Sequence, residues 1–155
     1  MQITSSAFHD NEEIPRRYSR EGAELSPPLA IEDVPDGTET LALIVDDPDA
    51  PNQTWVHWLI WNIPGDRSAI PEDVPEEETV SALGGAAQGL NDFDEIGYGG
   101  PMPPPGHGTH HYRFTVYALS EPLELEPGAD RAELEDAMDG KILDQARITG
   151  TYERE

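Results

Sequence analysis

The pattern of hydrophobic and polar positions predicts three long β-strands in the middle and second half of the chain. Residues 40–46 (TLALIVD) and 55–63 (WVHWLIWNI) are apolar at nearly every position, which is typical of strands buried on both faces. Residues 110–119 alternate instead, and successive side chains of a strand point to opposite faces. One face of this third strand is therefore mostly apolar but begins with a histidine and a tyrosine. Its members are His110, Tyr112, Phe114, Val116 and Ala118.

Weaker patterns predict the remaining elements. Residues 2–8 have the pattern of a short strand, residues 80–89 that of a short strand with glycine breaks, and residues 142–152 return to strand character. Asp130 and Glu133 have the spacing of a capping box, which predicts that a short helix begins there.

These elements predict a mainly β protein, an antiparallel two-sheet β-sandwich with a short C-terminal helix, folded as a single domain over residues 1–155. A chain of this length can bury a sizeable core. No apolar run approaches the roughly 18 to 20 residues of a membrane span, and the first residues lack the basic and apolar regions of a secretory signal. There is no cysteine, so we expect no disulfide, no thiolate chemistry and a cytoplasmic location.

The net charge of the chain restricts the classes of molecule that we expect it to bind. The chain has 32 acidic and 9 basic residues, a formal net charge of −23, and Lys141 is its only lysine. Because no basic stripe is present to displace counterions, nucleic acid is not expected as a partner, and docking on an anionic membrane surface is disfavoured. Such an acid excess resembles the cytosolic proteins of organisms that keep molar salt inside the cell, where a Debye length of about 3 Å screens self-repulsion. We therefore expect a halophilic source.

Candidate chemistry begins at the end of the first buried strand. Asp47 follows that strand directly and is placed to point inward toward His57, which we expect to share a strand face with Leu59 and Trp61. A carboxylate that accepts a hydrogen bond from an imidazole N–H fixes the tautomer of the ring. The competing interpretations are a core histidine satisfied by one hydrogen bond and an ordinary Asp turn that bonds nearby backbone amides.

The pair formed by His110 and Tyr112 favours a site over these alternatives. Both begin a strand face directly after a loop rich in glycine and proline, residues 97–106. Together with His57, two imidazoles, a phenol and glycine amides form a cluster of hydrogen-bond donors. Such a cluster suits a phosphate or a carboxylate better than a cation.

Metal binding is the competing use of these histidines. His107, His110 and His111, with Asp47, have side chains that ligate metals. His110 and His111, however, point to opposite faces of the predicted strand, and the chain has no HExxH motif and no cysteine cluster. We therefore predict no metal and no other cofactor.

A series of short motifs follows between about residues 24 and 119. They are SPPL at 26–29, VP and GT at 34–38, DPDAP at 47–51, HWLIWN at 57–62, NDF at 91–93, GYGGP at 97–101, and the proline-rich run that leads to HHY at 110–112. Together and at this spacing they resemble the phosphatidylethanolamine-binding protein (PEBP) family, also called Raf kinase inhibitor-like proteins, in its prokaryotic branch.

The resemblance implies a β-sandwich with a small anion pocket at one end. It implies that the imidazoles and the phenol donate to a phosphoryl oxygen, that Gly100 offers its backbone, and that Asp47 orients an imidazole. One departure is His111, which stands where the family usually has an arginine. The ligand-binding residues that the resemblance carries over are Asp47, His57, Gly100, Pro103, His110 and Tyr112.

Three functions are consistent with these residues. The first is non-catalytic binding of a small anion, either phosphate or a phosphoryl group. The second is regulation or inhibition of another protein, a hydrolase or a kinase, through the loop at the pocket lip; this leaves a protein partner and a homodimer open. The third is a small hydrolase with Asp47 and His57 as a base pair, which lacks a Ser, Cys or Lys nucleophile in a recognisable motif beside the cluster. We predict the first, and therefore no enzyme.

Overall fold

A computed structural model describes every residue from Met1 to Glu155 and shows ten strands and one α-helix. The strands are β1 (Gln2–Thr4), β2 (Glu12–Glu13), β3 (Leu29–Glu32), β4 (Thr40–Asp47), β5 (Trp55–Pro64), β6 (Ala69–Ile70), β7 (Thr79–Val80), β8 (Ala86–Gln88), β9 (His110–Leu119) and β10 (Ile142–Tyr152). The helix is α1 (Arg131–Met138), and short 3-10 turns cover Arg16–Tyr18 and Ser81–Leu83. The structure contains no helix with both the length and the apolar character that a membrane span requires.

The strands form a small and a large sheet. The small sheet has the order β1-β3-β6, and the large sheet has the order β2-β10-β9-β4-β5-β8-β7. Neighbouring strands are antiparallel except for β2, a two-residue edge strand that runs parallel to β10. The predicted fold class, mainly β with two sheets and one short helix, is confirmed.

The two strands predicted to be buried on both faces lie at the centre of the large sheet. All eight residues of β4 are buried, and their side chains alternate between two hydrophobic layers. Leu41, Leu43 and Val45 pack in the layer that includes the small sheet, whereas Ala42 and Ile44 pack in the layer that includes α1. The predicted face of β9, which begins with a histidine and a tyrosine, is buried throughout.

A β-bulge interrupts β5 where it approaches the end of β4. Val45 pairs with Trp58 and Asp46 pairs with Val56, so His57 is an extra residue that has no partner in β4. A bulge of this kind re-aims a side chain and is common next to functional sites.

The bulge corrects the predicted face of His57. Leu59 and Trp61 lie in the helix-side layer, whereas the ring of His57 contacts that of Tyr112 on the opposite side of the sheet, with 5.1 Å between ring centroids. The prediction that His57 shares a face with Leu59 and Trp61 is wrong, because simple alternation does not continue through an inserted residue.

Two other predicted strands are shorter than their sequence patterns. The N-terminal strand ends at Thr4, and the region of residues 80–89 holds the end of β7, a 3-10 turn and β8. Gly84 and Gly85 have φ of +67° and +84°, a region that favours glycine, and they turn the chain between these two strands.

The helix begins with the capping box that the sequence predicts. The Asp130 carboxylate accepts a hydrogen bond from the backbone N–H of Glu133 at 2.9 Å, and the Glu133 carboxylate accepts one from the N–H of Asp130 at 3.2 Å. Leu134 and Met138 bury the inner face of the helix. The apolar side of the helix therefore packs on the sheet, and the reciprocal side-chain hydrogen bonds of the capping box stabilise its N-terminus.

Asp130→Ala is expected to lower the free energy of unfolding by about 1 kcal/mol, because it removes the N-cap acceptor. Asp136→Ala is the matched control, since Asp136 is exposed on the same helix and its side chain makes no hydrogen bond there. Urea denaturation measures both variants. Equal stabilities of the two would contradict the role of the cap.

Candidate functional site

The predicted site residues meet at one end of the large sheet, around a cavity of about 310 Å³. β4 ends at this point, β5 and β9 begin there, and the proline-rich loop before β9 closes one side. Of the six residues predicted for the site, five line the cavity: Asp47, His57, Pro103, His110 and Tyr112.

A larger cavity of about 430 Å³ lies along β1 and β10. Its titratable side chains, His9, Asp10 and Arg147, are exposed. Buried titratable groups beside a cavity are the stronger mark of a functional site, and the smaller cavity has them. We therefore take the smaller cavity as the candidate site.

Asp47 and His110 form a buried pair in the cavity wall. Nδ1 of His110 lies 2.6 Å from Oδ2 of Asp47, and the two side chains are only 2% and 4% exposed. Oδ1 of Asp47 accepts from the backbone N–H of Asp49 at 2.8 Å, so both carboxylate oxygens have partners. A carboxylate only accepts, so Nδ1 of His110 carries the proton. Asp47 thus orients the imidazole of His110 and not that of His57.

His107 extends this pair toward the surface. Its Nδ1 lies 2.5 Å from Nε2 of His110, and the two ring centroids are 4.8 Å apart. The residue is exposed on the proline-rich loop, where its backbone N–H bonds to the carbonyl of Pro104. The contact occupies the one nitrogen of His110 that Asp47 does not hold. His107 therefore covers the polar edge that His110 would present to a ligand.

His57 is held by a backbone carbonyl. Its Nδ1 lies 2.7 Å from the carbonyl oxygen of Gly99, so this nitrogen carries the proton. Burial lowers the pKa of His57 below its ordinary value, against the raising effects of the Gly99 hydrogen bond and of the Asp47 and Asp92 carboxylates. The ring is therefore uncharged near neutral pH and has a lone pair at Nε2.

Three polar atoms on the aromatic rings that line this cavity have no partner within the protein: Nε2 of His57, the hydroxyl of Tyr112 and Nε1 of Trp55. Nε2 of His57 and the hydroxyl of Tyr112 make no hydrogen bond, although the two residues are only 3% and 1% exposed. Burial and the negative charge of Asp47 raise the pKa of Tyr112, so the side chain is a neutral phenol that can donate. The lining rings thus carry one acceptor, Nε2 of His57, and two donors, the hydroxyl of Tyr112 and the indole N–H of Trp55.

Gly100 does not contribute as the resemblance implies. It lies outside the cavity wall, and its N–H donates to the Glu24 carboxylate at 3.1 Å. A Cβ at this position would lie 2.5 Å from the carbonyl oxygen of Tyr18, so glycine is required here for close packing. The expected donation from Gly100 to a ligand is corrected by this geometry; its neighbour Gly99 contributes instead, by holding His57.

His111 also lies outside the cavity, as its position on the opposite face of β9 predicts. Its Nδ1 and its backbone N–H both contact Oδ2 of Asp49 at 2.8 Å. Partial burial alone would raise the pKa of Asp49, but the hydrogen bonds from His111 hold it below its ordinary value. This pair ties the start of β9 to the turn after β4, so the residue that replaces the family's arginine leaves the cavity wall intact.

Trp55, Phe93 and Met102 also line the cavity, although the sequence analysis does not predict them as ligand-binding residues. Trp55 lies two residues before His57 and therefore on the same strand face, so the alternation of side chains along the strand could have identified it as a lining residue. Phe93 contacts both of these rings edge to face, at 5.4 Å from each. No lysine or arginine lines the cavity, and the chain has no group of three or more His, Asp or Glu that could hold a metal ion.

Comparison with known proteins agrees with the motifs. The family profile described as phosphatidylethanolamine-binding protein matches residues 4–153. A UPF0098 protein of Pyrococcus horikoshii is 51% identical over 150 residues, which cover 97% of this chain and 75% of that protein. The expectation of a halophilic source is not borne out by the comparisons.

Two solved structures are similar over nearly the whole chain. A putative phosphatidylethanolamine-binding protein homolog from Chlamydia trachomatis is 40% identical with a TM-score of 0.89, covering 99% of this chain and 97% of that one. Escherichia coli YbcL, described as a new member of the mammalian PEBP family, is 34% identical with a TM-score of 0.92, covering 99% and 98%.

Proposed function

The chain belongs to the phosphatidylethanolamine-binding protein family, and from this we propose that its cavity binds a small anion that carries a phosphoryl group, without catalysing a reaction. The observation that carries the proposal is the pair of unpartnered polar atoms, Nε2 of His57 and the hydroxyl of Tyr112. Both atoms open on the cavity, and each hydrogen bond that a ligand makes to one of them contributes about 0.5 to 1.5 kcal/mol. A ligand whose oxygens pair with both atoms is therefore favoured.

The size of the cavity supports a small ligand. Its volume of about 310 Å³ is at the lower end of the range for ligand pockets. The walls are mostly ring and proline surfaces, including Trp55, Phe93 and Pro103. Such a space suits one phosphoryl group with a short substituent.

The lining also supports binding without catalysis. It contains no serine, threonine, cysteine or lysine that could act as a nucleophile. The Asp47 carboxylate is engaged by His110 and by the backbone of Asp49, so it is not free to take a proton from water. For the hydrolase alternative, Nε2 of His57 is the remaining candidate base, but the lining offers no serine, threonine, cysteine or lysine for it to activate.

Titration calorimetry with phosphoethanolamine at pH 6 tests the proposal. We expect saturable binding that Tyr112→Phe weakens about tenfold, because the variant keeps the ring and removes only the donor. His9→Ala is the control, since His9 is exposed and lies at the other cavity, and it should bind as the wild type does. The proposal fails if no saturable binding occurs, or if Tyr112→Phe binds as tightly as the wild type.

His107→Ala is expected to increase the affinity for phosphoethanolamine about fivefold. A ligand that reaches Nε2 of His110 must displace His107, and the variant removes a hydrogen bond of about 1 kcal/mol that competes with the ligand. Thr109→Ala, in the same loop with its hydroxyl directed to Glu153, should leave the affinity unchanged. A lower affinity in His107→Ala would mean that His107 contacts the ligand instead of competing with it.

A further inference from the structure

The hydrogen bonding of His57 restricts the kind of anion that fits. Its Nδ1–H is committed to the Gly99 carbonyl at 2.7 Å, so in the neutral ring Nε2 can only accept. A fully ionised phosphate, a sulfate and a phosphodiester have only acceptor oxygens. Each of these anions would place oxygen lone pairs against the lone pair of Nε2, which is repulsive. A ligand with an O–H group would instead donate a hydrogen bond to Nε2.

The charges at the cavity also favour a ligand that carries fewer negative charges. The Asp47 carboxylate is part of the wall, and no lysine or arginine lines the cavity to offset it. The whole chain carries a formal net charge of −23. Each additional negative charge on the ligand is therefore opposed both locally and by the field of the protein.

The groups around His57 leave its ring neutral. Burial outweighs the carboxylates among its neighbours, so the pKa of His57 lies below its ordinary value. The ring also packs against the uncharged ring of Phe93, with 5.4 Å between the ring centroids. The charged and titratable groups that act on it from neighbouring elements are Asp47, Asp92, Arg20 and Tyr112.

Resting on the proposed function, we propose that the cavity selects the protonated, singly charged form of a phosphate monoester. In this arrangement the P–O–H of the ligand donates to Nε2 of His57, and the hydroxyl of Tyr112 donates to an unprotonated oxygen. Nε2 of His57 and the hydroxyl of Tyr112 then each meet a group of the opposite kind, and one negative charge enters the site instead of two. The unpartnered indole N–H of Trp55 can donate to a further oxygen of the ligand. A phosphodiester, which has no P–O–H at neutral pH, is disfavoured.

Three small anions distinguish the effect of a hydrogen bond donated by the ligand from the effect of the ligand's negative charge. At pH 5 methyl phosphate is mainly a monoanion with one O–H, because the second pKa of a phosphate monoester is about 6. Methyl sulfate and dimethyl phosphate are monoanions of similar size without that O–H. Calorimetry is expected to show methyl phosphate binding at least about tenfold tighter than either, because the other two leave Nε2 unpaired. Above about pH 6 its affinity should fall about tenfold per pH unit as the monoanion disappears.

The outcomes distinguish this inference from the proposed function. Equal affinities for methyl phosphate and methyl sulfate overturn the inference and leave anion binding standing. Binding of none of the three anions overturns both. Tight binding of methyl sulfate with uptake of one proton, measured in buffers of different ionisation enthalpy, shows that His57 becomes protonated on binding, and this also overturns the inference.

Two variants assign the selectivity to His57. His57→Gln places an amide near Nε2 that can donate as well as accept, so the ratio of the methyl phosphate and methyl sulfate affinities should fall toward one. Tyr112→Phe should weaken both anions and leave the ratio unchanged. An unchanged ratio in a folded His57→Gln protein contradicts the assignment; if that variant does not fold, the ratio in the wild type and its pH dependence decide.

Discussion

Replacing His57 with alanine is expected to weaken the binding of phosphoethanolamine at least about 100-fold at pH 6, the largest functional effect that the cavity predicts. The variant removes the partner of the ligand at Nε2. It also removes the Nδ1–H that donates to the Gly99 carbonyl. This hydrogen bond positions the start of the loop at the cavity lip. The lost hydrogen bond to an ionised ligand contributes about 1.5 to 3 kcal/mol, and a lip that is no longer held must be ordered on binding, which together correspond to about 100-fold in affinity.

His9→Ala is the control for this change, because His9 is exposed and belongs to the other cavity. Calorimetry on both variants, after their NMR spectra have shown the native fold, measures the difference. A folded His57→Ala protein that binds within about threefold of the wild type would contradict the assignment of this cavity as the binding site.

The largest expected effect on stability belongs to Asp46. Its buried carboxylate accepts from Nε of Arg113 at 2.7 Å and from Nη1 of Arg131 at 2.6 Å. Because Arg131 begins α1 and Arg113 lies in β9, one side chain joins the helix to the two central strands.

Asp46→Ala is expected to lower the free energy of unfolding by about 3 kcal/mol. Breaking a buried ion pair costs about 3 to 5 kcal/mol, and the lower end applies because the two arginines are partly exposed and can turn to water. Urea denaturation near pH 7 measures the change. Asp139→Ala, at the exposed end of α1, is the control, and an equal effect in both variants would contradict this role of Asp46.

The same carboxylate predicts a dependence on pH. Burial alone would raise the pKa of Asp46, but the hydrogen bonds and charges of Arg113 and Arg131 hold it below its ordinary value. A group with a lowered pKa in the folded state stabilises the protein above its unfolded pKa of about 3.9, and this stability is lost as the pH falls through the folded pKa. The stability difference between the wild type and Asp46→Asn should therefore be constant above about pH 5 and shrink in stronger acid. A difference that does not change with pH would contradict the pairing.

Elements whose signals are local could be predicted from the sequence. The bounds of β9 and β10 follow from alternation, and the central position of β4 follows from an unbroken apolar run. The N-cap of α1 follows from Asp130 and Glu133, because both hydrogen bonds of a capping box lie within four residues. Four residues of the cavity wall, Asp47, His57, His110 and Tyr112, could be predicted from strand ends beside a stiff loop, and Pro103 from the resemblance to the family.

Features that depend on pairing between distant segments could not be predicted. The bulge that re-aims His57 exists only in the register between β4 and β5. The N–H of Gly100 is taken by Glu24, which lies 76 positions earlier in the chain. The contact between His107 and His110 depends on how the proline-rich loop folds back over β9. In each case the missing information is the identity of a tertiary partner.

The indole N–H groups of the three tryptophans provide the most direct test of the cavity as an anion site. Trp55 lines the cavity and its Nε1 has no partner, whereas Nε1 of Trp58 donates to Gln88 at 2.7 Å and that of Trp61 donates to the Leu125 carbonyl at 3.3 Å. The measurement is a titration with phosphoethanolamine at pH 6, followed in the ¹H–¹⁵N spectrum, with sodium chloride at equal ionic strength as the blank. We predict that the Trp55 indole signal shifts saturably while those of Trp58 and Trp61 stay in place. An unmoved Trp55 signal, or equal shifts of all three, would contradict binding in this cavity.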